Sequence, residues 1–135
     1  MENIYIDTNV FLVFLKKEEN FNHAKAILQK VATGNGRGFI SPFTLHELLW
    51  VLEKERVSCE KAISALDFVI HHPNLSFLTP STNTFYSALD IKRKKGLKIA
   101  DSLHVAIMLE NNIKKIASFD SDFDRIEGID RVSGA

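Results

Sequence analysis

The feature that most constrains the fold of this chain is the alternation of short β-rich runs with helical patterns. The runs typical of strands are Asn3–Ile6, Gly38–Ser41, Leu75–Leu78, Lys115–Ser118 and, more weakly, Asp130–Val132. The segments with helical spacing of apolar residues are Val10–Lys17, Phe21–Ala32, Pro42–Lys54, Ser58–His71, Ser81–Lys95 and Ser102–Asn111. Strands separated by helices predict an α/β fold, with a parallel sheet of four to five strands and helices on both of its faces.

The composition is that of one globular domain covering residues 1–135. Of the residues, 45% are hydrophobic and 25% are charged, values typical of proteins that fold around a single core. Cys59 is the only cysteine, which excludes an internal disulfide framework and suits a reducing compartment, the cytoplasm. Because the chain has neither a basic leader nor an apolar run approaching ~20 residues, we expect neither secretion nor membrane insertion.

Four acidic residues fall where a predicted strand ends or the next helix begins. Asp7 directly follows the first strand, and Asp120 directly follows the fourth. Glu47 lies near the start of the helix after the second strand, and Asp101 opens a late helix. Because sites in open parallel sheets form beyond the carboxyl ends of the strands, we expect all four acids to face one rim of the sheet.

Two of these acids also have a purely structural explanation. Asp7, or Thr8 after it, could cap the following helix by accepting a hydrogen bond from a free backbone N–H. Asp101 could likewise be an N-cap, where its charge would favour the helix dipole. Each residue taken alone therefore leaves capping and a functional role open.

Glu47 lies in a segment that is apolar almost all round. Thr44-x-x-Glu47 matches a capping box, which would explain the glutamate structurally. Ser41-Pro42 offers an earlier helix start, with proline at the first helical position, and would place Glu47 a full turn inside the helix. A carboxylate in such surroundings needs a cation, a hydrogen-bond network or a raised pKa.

The segment Ser118–Asp124 places Asp120, Asp122 and Asp124 in a short loop after a strand. Their spacing is similar to that of a calcium loop. Arg125 and Arg131, however, occupy the positions that require glycine and the bidentate glutamate, so an EF-hand is excluded.

A cluster of four carboxylates would repel itself unless a cation were bound among them. Ligation by oxygen alone favours Mg²⁺ or Mn²⁺. These ions activate water, neutralise phosphate and orient the leaving group in phosphodiester cleavage. The acids therefore predict a divalent-metal site suited to hydrolysis of nucleic acid.

The order and spacing of four short motifs resemble those of PIN-domain proteins, in particular the VapC-type toxin ribonucleases of toxin–antitoxin pairs. A hydrophobic strand followed by Asp-Thr-Asn stands at Tyr5–Asn9, and a Ser-x-x-x-x-x-Glu-hydrophobic element at Ser41–Leu48. An Asp-Ser-hydrophobic-x-hydrophobic-Ala element occupies Asp101–Ala106, and a Ser-x-Asp-x-Asp-Phe element occupies Ser118–Phe123. The resemblance covers nearly the whole chain.

This resemblance implies a three-layer α/β/α sandwich, related to the Rossmann fold, and hydrolysis of RNA by metal-activated water. The implied ligands of Mg²⁺ or Mn²⁺ are Asp7, Glu47, Asp101 and Asp120, with Asp122 as a secondary ligand. Supporting hydrogen bonds would come from Thr8, Asn9 and Ser118. Members of this family often form homodimers, and the toxins are inhibited by a small antitoxin protein whose peptide enters the acidic cleft.

A basic run leads directly into Asp101 and is a candidate for gripping RNA phosphates beside the metal. It comprises Lys92, Arg93, Lys94, Lys95 and Lys98. Because formal positive and negative charges balance at 17 each, RNA would have to be held by such a local patch. The alternative is a solvated helix end, where cations complement the dipole before a glycine cap.

The histidines show no spacing suited to a helical zinc site. His104 lies one turn from Asp101 and could orient it, although packing is the favoured interpretation. Six aromatic residues on the helical segments are predicted to be mostly core: Phe11, Phe14, Phe43, Trp50, Phe85 and Tyr86. Trp50 and Val51, however, fall away from the apolar stripe of their helix and are candidates for a dimer or antitoxin surface.

Rival functions are less consistent with the residues. A phosphatase with an aspartyl nucleophile requires a second Asp two residues after Asp7, where Asn9 stands. A receiver domain requires an acceptor Asp after the third strand, where Thr79-Pro80 stands. A non-catalytic module that binds metal, RNA or a partner remains an alternative, as does a PIN-type RNA-processing nuclease without an antitoxin.

Overall fold

The computed structural model describes residues 2–134, and its core is a five-stranded sheet in which every neighbouring pair is parallel. The strands are β1 (Glu2–Ile6), β2 (Gly36–Ile40), β3 (Leu75–Phe77), β4 (Lys115–Ala117) and β5 (Asp130–Val132), in the spatial order β3-β2-β1-β4-β5. The first strand is therefore central, and the chain after it crosses first to one side of the sheet and later to the other. The predicted α/β class with a parallel sheet is confirmed.

Six helices cover the sheet: α1 (Thr8–Lys16), α2 (Phe21–Ala32), α3 (Pro42–Lys54), α4 (Cys59–Ile70), α5 (Thr82–Lys95) and α6 (Ile99–Glu110). The side-chain alternation of β1 divides the core in two. Ile4 and Ile6 pack with α1 to α4 on one face, whereas Tyr5 packs with α6 on the other. The result is the three-layer α/β/α sandwich that the resemblance implied.

Local signals explain several helix ends. Ser41 is the N-cap of α3, Pro42 is its first residue, and the Thr44 hydroxyl accepts a hydrogen bond from the Ser41 N–H at 3.3 Å. The earlier start is therefore correct, and the alternative capping box of Thr44 with Glu47 is wrong. At the other end of α5, Gly96 adopts φ 69° and its N–H donates to the Lys92 carbonyl, as expected of a glycine C-cap.

Helix α6 begins earlier than the sequence predicted. Its N-cap is Lys98 and its first residue is Ile99, three residues before the expected start at Ser102. Asp101 therefore lies inside the first turn of α6, and the interpretation of Asp101 as an N-cap is wrong. After β4 the chain forms a short 3₁₀ turn at Ser121–Arg125.

Gly38 on β2 lies among closely packed side chains. A Cβ atom at this position would lie 2.9 Å from Leu75 Cδ1 and 3.0 Å from Val31 Cγ1, so these side-chain ends would have to shift. The absence of a side chain lets α2 lie directly on the sheet. This contact helps to hold β2, and with it the start of α3, in place.

Several aromatic residues predicted to be core are exposed. Phe11 is buried, and Phe14 and Phe43 are partly buried. Trp50, Phe85 and Tyr86 expose 52%, 49% and 71% of their surface, because they lie on the outer sides of α3 and α5. Within residues 2–134, no helix has the length and apolar character needed to span a membrane.

Candidate metal centre

The four predicted acids meet at one cleft beyond the carboxyl end of the central strands. The cleft has a volume of about 180 Å³ and is lined by Asp7, Thr8, Asn9, Leu12, Glu47, Val51, Lys98, Ala100, Asp101 and Asp120. These residues come from the β1–α1 junction, α3, the start of α6 and the segment after β4. The expectation that the acids share one rim of the sheet agrees with this arrangement.

Asp7 is both a helix cap and a wall of the cleft. Its Oδ1 accepts a hydrogen bond from the Thr8 N–H at 2.8 Å, and its Oδ2 accepts one from the Ser118 hydroxyl at 2.7 Å. Only 5% of Asp7 is exposed. Burial raises the pKa of this carboxyl, and it outweighs the opposing effects of His104 and Ser118. The capping and functional interpretations are therefore compatible.

Glu47 projects from the second turn of α3 to a buried histidine. His104 Nε2 lies 3.1 Å from Glu47 Oε1 and 3.8 Å from Asp7 Oδ1. Burial alone would raise the pKa of Glu47, but the hydrogen bond and charge of His104 hold it below its ordinary value. Burial alone would lower the pKa of His104, but Tyr5, Glu47 and Asp7 together raise it to about 10.

His104 is the residue at this site whose role the sequence did not reveal. Its side chain is fully buried, as the packing interpretation required, but it contacts Glu47 and lies near Asp7 instead of orienting Asp101. Its other ring nitrogen, Nδ1, lies 2.7 Å from the Tyr5 hydroxyl. The available signal was a single polar residue on the apolar stretch of α6, which does not identify partners on other elements.

Asp101, Asp120 and Asp122 form the opposite side of the site. Each offers one carboxylate oxygen within 4.8 Å of the others. Burial, followed by repulsion from Asp7 and Asp120, raises the pKa of Asp101 to about 7. Asp120 Oδ1 accepts a hydrogen bond from the Asp122 N–H at 2.9 Å, which fixes the 3₁₀ turn below the cleft.

The predicted supporting residues join the segments that carry the acids. The Ser118 hydroxyl donates to Asp7 and accepts from the Asp120 N–H at 3.0 Å. Asn9 donates from Nδ2 to Ser118 Oγ at 3.3 Å and accepts from the Phe119 N–H at 3.4 Å. These bonds tie the start of α1 to the segment after β4, and so set the spacing of Asp7 and Asp120.

Three cations of the basic run contact other groups of the protein. Lys92 donates to the Leu97 carbonyl, while Arg93 and Lys94 form ion pairs with Asp90 at 2.7 and 2.9 Å. Lys98 alone among the five candidates lines the cleft. Contact with RNA by this run remains a prediction, with Lys98 the best placed of its members.

The donor set fits a small, hard divalent cation. Carboxylate oxygens dominate, as Mg²⁺ and Mn²⁺ prefer, and repulsion from Asp7 and Asp120 adds to the effect of burial in raising the pKa of Asp101. The hydroxyl of Thr8 is buried and makes no hydrogen bond of standard geometry within residues 2–134. It lies close enough to Glu47 to help to lower the pKa of that carboxyl, so Glu47 is its nearest candidate partner.

The chain is a parallel α/β/α sandwich with a cluster of carboxylates at the carboxyl end of its strands, an arrangement that suits a divalent cation. Comparison with known sequences identifies the family. The PIN domain family matches residues 4–129, so the chain belongs to the PIN domain family. Ribonuclease VapC13 of Mycobacterium tuberculosis is 25% identical over 134 residues, which cover 96% of this chain and 99% of the relative. A VapC ribonuclease of Mycobacterium bovis is equally similar.

Solved structures share the fold. VapBC2 from Rickettsia felis, bound to a DNA fragment from its promoter, gives a TM-score of 0.72 at 20% identity and covers 96% of this chain and 97% of that chain. VapC20 of M. tuberculosis, a toxin that cleaves the sarcin–ricin loop, gives 0.70 at 16% identity and covers 90% and 92%. At these identities the likeness establishes the architecture.

Proposed function

We propose that this protein is a divalent-metal-dependent endoribonuclease and the toxin of a VapBC-type toxin–antitoxin pair, acting in the cytoplasm. The observation that carries the proposal is the convergence of Asp7, Glu47, Asp101 and Asp120 on one cleft from four separate segments. Membership of the PIN family and relatives named as VapC ribonucleases support the same conclusion.

In this proposal Asp7, Glu47, Asp101 and Asp120 hold Mg²⁺ or Mn²⁺, with Asp122 as a secondary ligand. When bound, the ion supplies activation of a water molecule and neutralisation of the phosphate. Asp101, whose pKa is about 7 without the ion, would lose its proton when the ion binds, because a ligand carboxylate must be deprotonated. The Thr8 hydroxyl lies beside Glu47 and supports that carboxylate, and Lys98 adds positive charge at the rim.

An apolar groove beside the acidic cleft supports the antitoxin as a partner. Its lining residues are Phe43, His46, Glu47, Trp50, Ile99, Ala100 and Leu103, and its volume is about 430 Å³. Glu47 lines both the groove and the cleft. We propose that an antitoxin segment places apolar side chains in the groove and a cationic side chain among the carboxylates. Homodimer formation belongs to the same proposal.

The test is cleavage of a mixed RNA pool by the purified protein with Mg²⁺, with Mn²⁺ or with EDTA. Asp7→Asn and Asp101→Asn are expected to lower the rate by on the order of 100- to 1000-fold, because each removes charge that the ion needs. Asp67→Asn is the matched control, since Asp67 is exposed on α4 and does not line the cleft.

Cleavage that requires metal, is lost in both cleft variants and is retained in the control would support the nuclease. Cleavage that persists in EDTA would contradict the proposed metal centre. If the intact protein cuts no RNA with either ion, a non-catalytic binding module becomes the better description. Co-purification with a small antitoxin encoded beside this protein would separate a toxin from an RNA-processing nuclease.

A further inference from the structure

Beneath the metal centre, buried hydrogen bonds connect three elements of the fold. His104 on α6 contacts Glu47 on α3 through Nε2 at 3.1 Å and Tyr5 on β1 through Nδ1 at 2.7 Å. Tyr5 and His104 are both completely buried. None of these residues is a neighbour of another in sequence, so the contacts exist only in the folded protein.

The Tyr5 hydroxyl also holds the start of the helix that carries Glu47. It lies 2.7 Å from the Ser41 hydroxyl and 3.3 Å from the Thr44 hydroxyl, at the N-terminus of α3. Tyr5 therefore reaches Glu47 by two routes, through the backbone of α3 and through the His104 ring. A phenylalanine at this position would fill the same space but would lack the oxygen on which both routes depend.

His104 is arranged to act on a carboxylate instead of serving as a ligand itself. Its Nε2 lies within 4.8 Å of carboxylate oxygens of Asp7 and Glu47, a distance that alone would suit a shared ion. Both of its ring nitrogens, however, already have partners. Carboxylates that ligate a metal are themselves held by hydrogen bonds from outer groups, and a ring fixed at Nδ1 by Tyr5 supplies such a bond to Glu47 from Nε2.

We infer that Tyr5 and His104 are positioning residues: Tyr5 fixes the His104 ring, and His104 fixes the Glu47 carboxylate beside Asp7 for cation binding. This inference rests on the proposed function only in requiring that the cleft binds a divalent cation. Without a fixed partner, the Glu47 side chain, which is 28% exposed, would sample several rotamers, and ion binding would have to order it.

The experiment compares Tyr5→Phe with Tyr86→Phe, since Tyr86 is 71% exposed and is not among the residues of this network. Binding of Mn²⁺ alone is measured by calorimetry on the metal-free protein without RNA. Imidazole N–H signals in NMR spectra report the state of His104, and thermal unfolding shows whether each variant is folded. His104→Gln keeps a donor for Glu47 but removes the contact with Tyr5.

Tyr5→Phe is expected to weaken Mn²⁺ binding on the order of tenfold, the lower end for loss of a group that supports a metal ligand. It should also change the His104 imidazole signals, whereas Tyr86→Phe should leave both measurements unchanged. In a protein that already carries His104→Gln, adding Tyr5→Phe should lower the Mn²⁺ affinity much less than Tyr5→Phe lowers it in the wild type, because Tyr5 acts largely through the histidine. With saturating Mn²⁺ the KM for RNA should stay near that of the wild type.

Equal Mn²⁺ affinity for the two tyrosine variants would overturn the inference, as would fully additive losses in the double variant. If His104→Gln does not fold, the comparison of the two tyrosine variants still decides. A protein that shows this binding pattern but cuts no RNA would keep the positioning roles and contradict the nuclease. If the wild type cuts RNA and Tyr5→Phe binds Mn²⁺ normally, the nuclease proposal stands and the positioning roles are contradicted. A wild-type protein that binds no Mn²⁺ would overturn the nuclease proposal and the positioning roles together.

Discussion

The two sides of the acidic cleft are built differently. On one side, Asp7 and Glu47 lie beside His104, and Asp7 also accepts hydrogen bonds from Thr8 and Ser118. On the other side, Asp101 is 7% exposed, and within residues 2–134 its carboxylate has neither a hydrogen bond nor an ion pair. Asp7 and Glu47 therefore both have protein partners, although burial still raises the pKa of Asp7. On the second side Asp122 pairs with Arg125 and Asp120 accepts from the Asp122 N–H, whereas Asp101 lacks such a partner in the described part of the chain.

Because of this difference, the two sides are expected to contribute differently to ion binding. The side chains of Asp7 and Glu47 are held by hydrogen bonds before an ion binds, so they fix the positions of their ligand oxygens. The side of Asp101 carries charge that the protein does not neutralise, and burial, followed by repulsion from Asp7 and Asp120, raises the pKa of Asp101 to about 7. A bound cation would relieve the repulsion. The side of Asp101 therefore increases the affinity for the cation and lowers the stability of the metal-free protein.

The largest expected effect is an opposite change of stability when one carboxylate on each side is neutralised in the metal-free protein. Glu47→Gln should lower the free energy of unfolding by about 1–3 kcal/mol, because buried His104 loses its charged partner. Asp101→Asn should raise it by about 0.5–2 kcal/mol at pH 8, because repulsion is removed. Chemical denaturation in EDTA measures both changes.

Glu53→Gln and Asp67→Asn are the matched controls, since both residues are exposed on helices and neither lines the cleft. Each control should change the free energy of unfolding by less than about 0.5 kcal/mol. If Glu47→Gln and Asp101→Asn changed stability in the same direction, the two sides of the cleft would not differ as the contacts suggest.

A smaller effect is a fall in the stability of the metal-free protein as pH rises from 6 to 9. Asp101 has a folded pKa of about 7 against an ordinary 3.8, so its stabilising proton is lost as pH rises toward and through 7. His104 has a folded pKa of about 10 against 6.5, so its contribution is lost between these values. The lowered pKa of Glu47 affects only acidic pH.

Thermal unfolding in EDTA across this pH range tests the dependence. The midpoint should fall with pH, Mg²⁺ should restore part of the loss, and Asp101→Asn should flatten the part of the curve below pH 8. A midpoint that rises between pH 6 and 9 would show that the buried charges at this cleft are compensated by groups other than those named here.

The same contrast explains how much the sequence could predict. The alternation of strands and helices along the chain, the Ser41-Pro42 helix start and the Gly96 cap are local signals, and the structure agrees with each. The rim position of the acids follows from the general geometry of parallel sheets. The contact of His104 with Glu47 joins residues 57 apart, and nothing in the local pattern of either helix specifies it.

The wrong predictions also have physical causes. Lys98 has no side-chain oxygen with which to cap α6, so the helix start at Ile99 lacked a signal. Phe85 and Tyr86 were predicted to be core because large aromatics usually bury, yet both are exposed on α5, whereas the exposure of Trp50 agrees with its predicted position off the apolar stripe of α3. Exposure of such side chains depends on which neighbouring element covers them, and that depends on the tertiary arrangement.

The smallest expected effect concerns the basic run, where one lysine faces the cleft and others do not. Lys98→Ala should raise the KM for RNA by roughly 3- to 10-fold and reduce the slope of log affinity against log salt by about one, because one phosphate contact is removed.

Lys95→Ala is the control from the same run, since Lys95 is exposed and does not line the cleft. Cleavage measured between 50 and 200 mM salt, about the range in which such contacts change affinity strongly, separates the two. Equal effects of both substitutions would mean that RNA contacts the whole run along the end of α5, and that the phosphate path is not confined to the uncompensated side of the cleft.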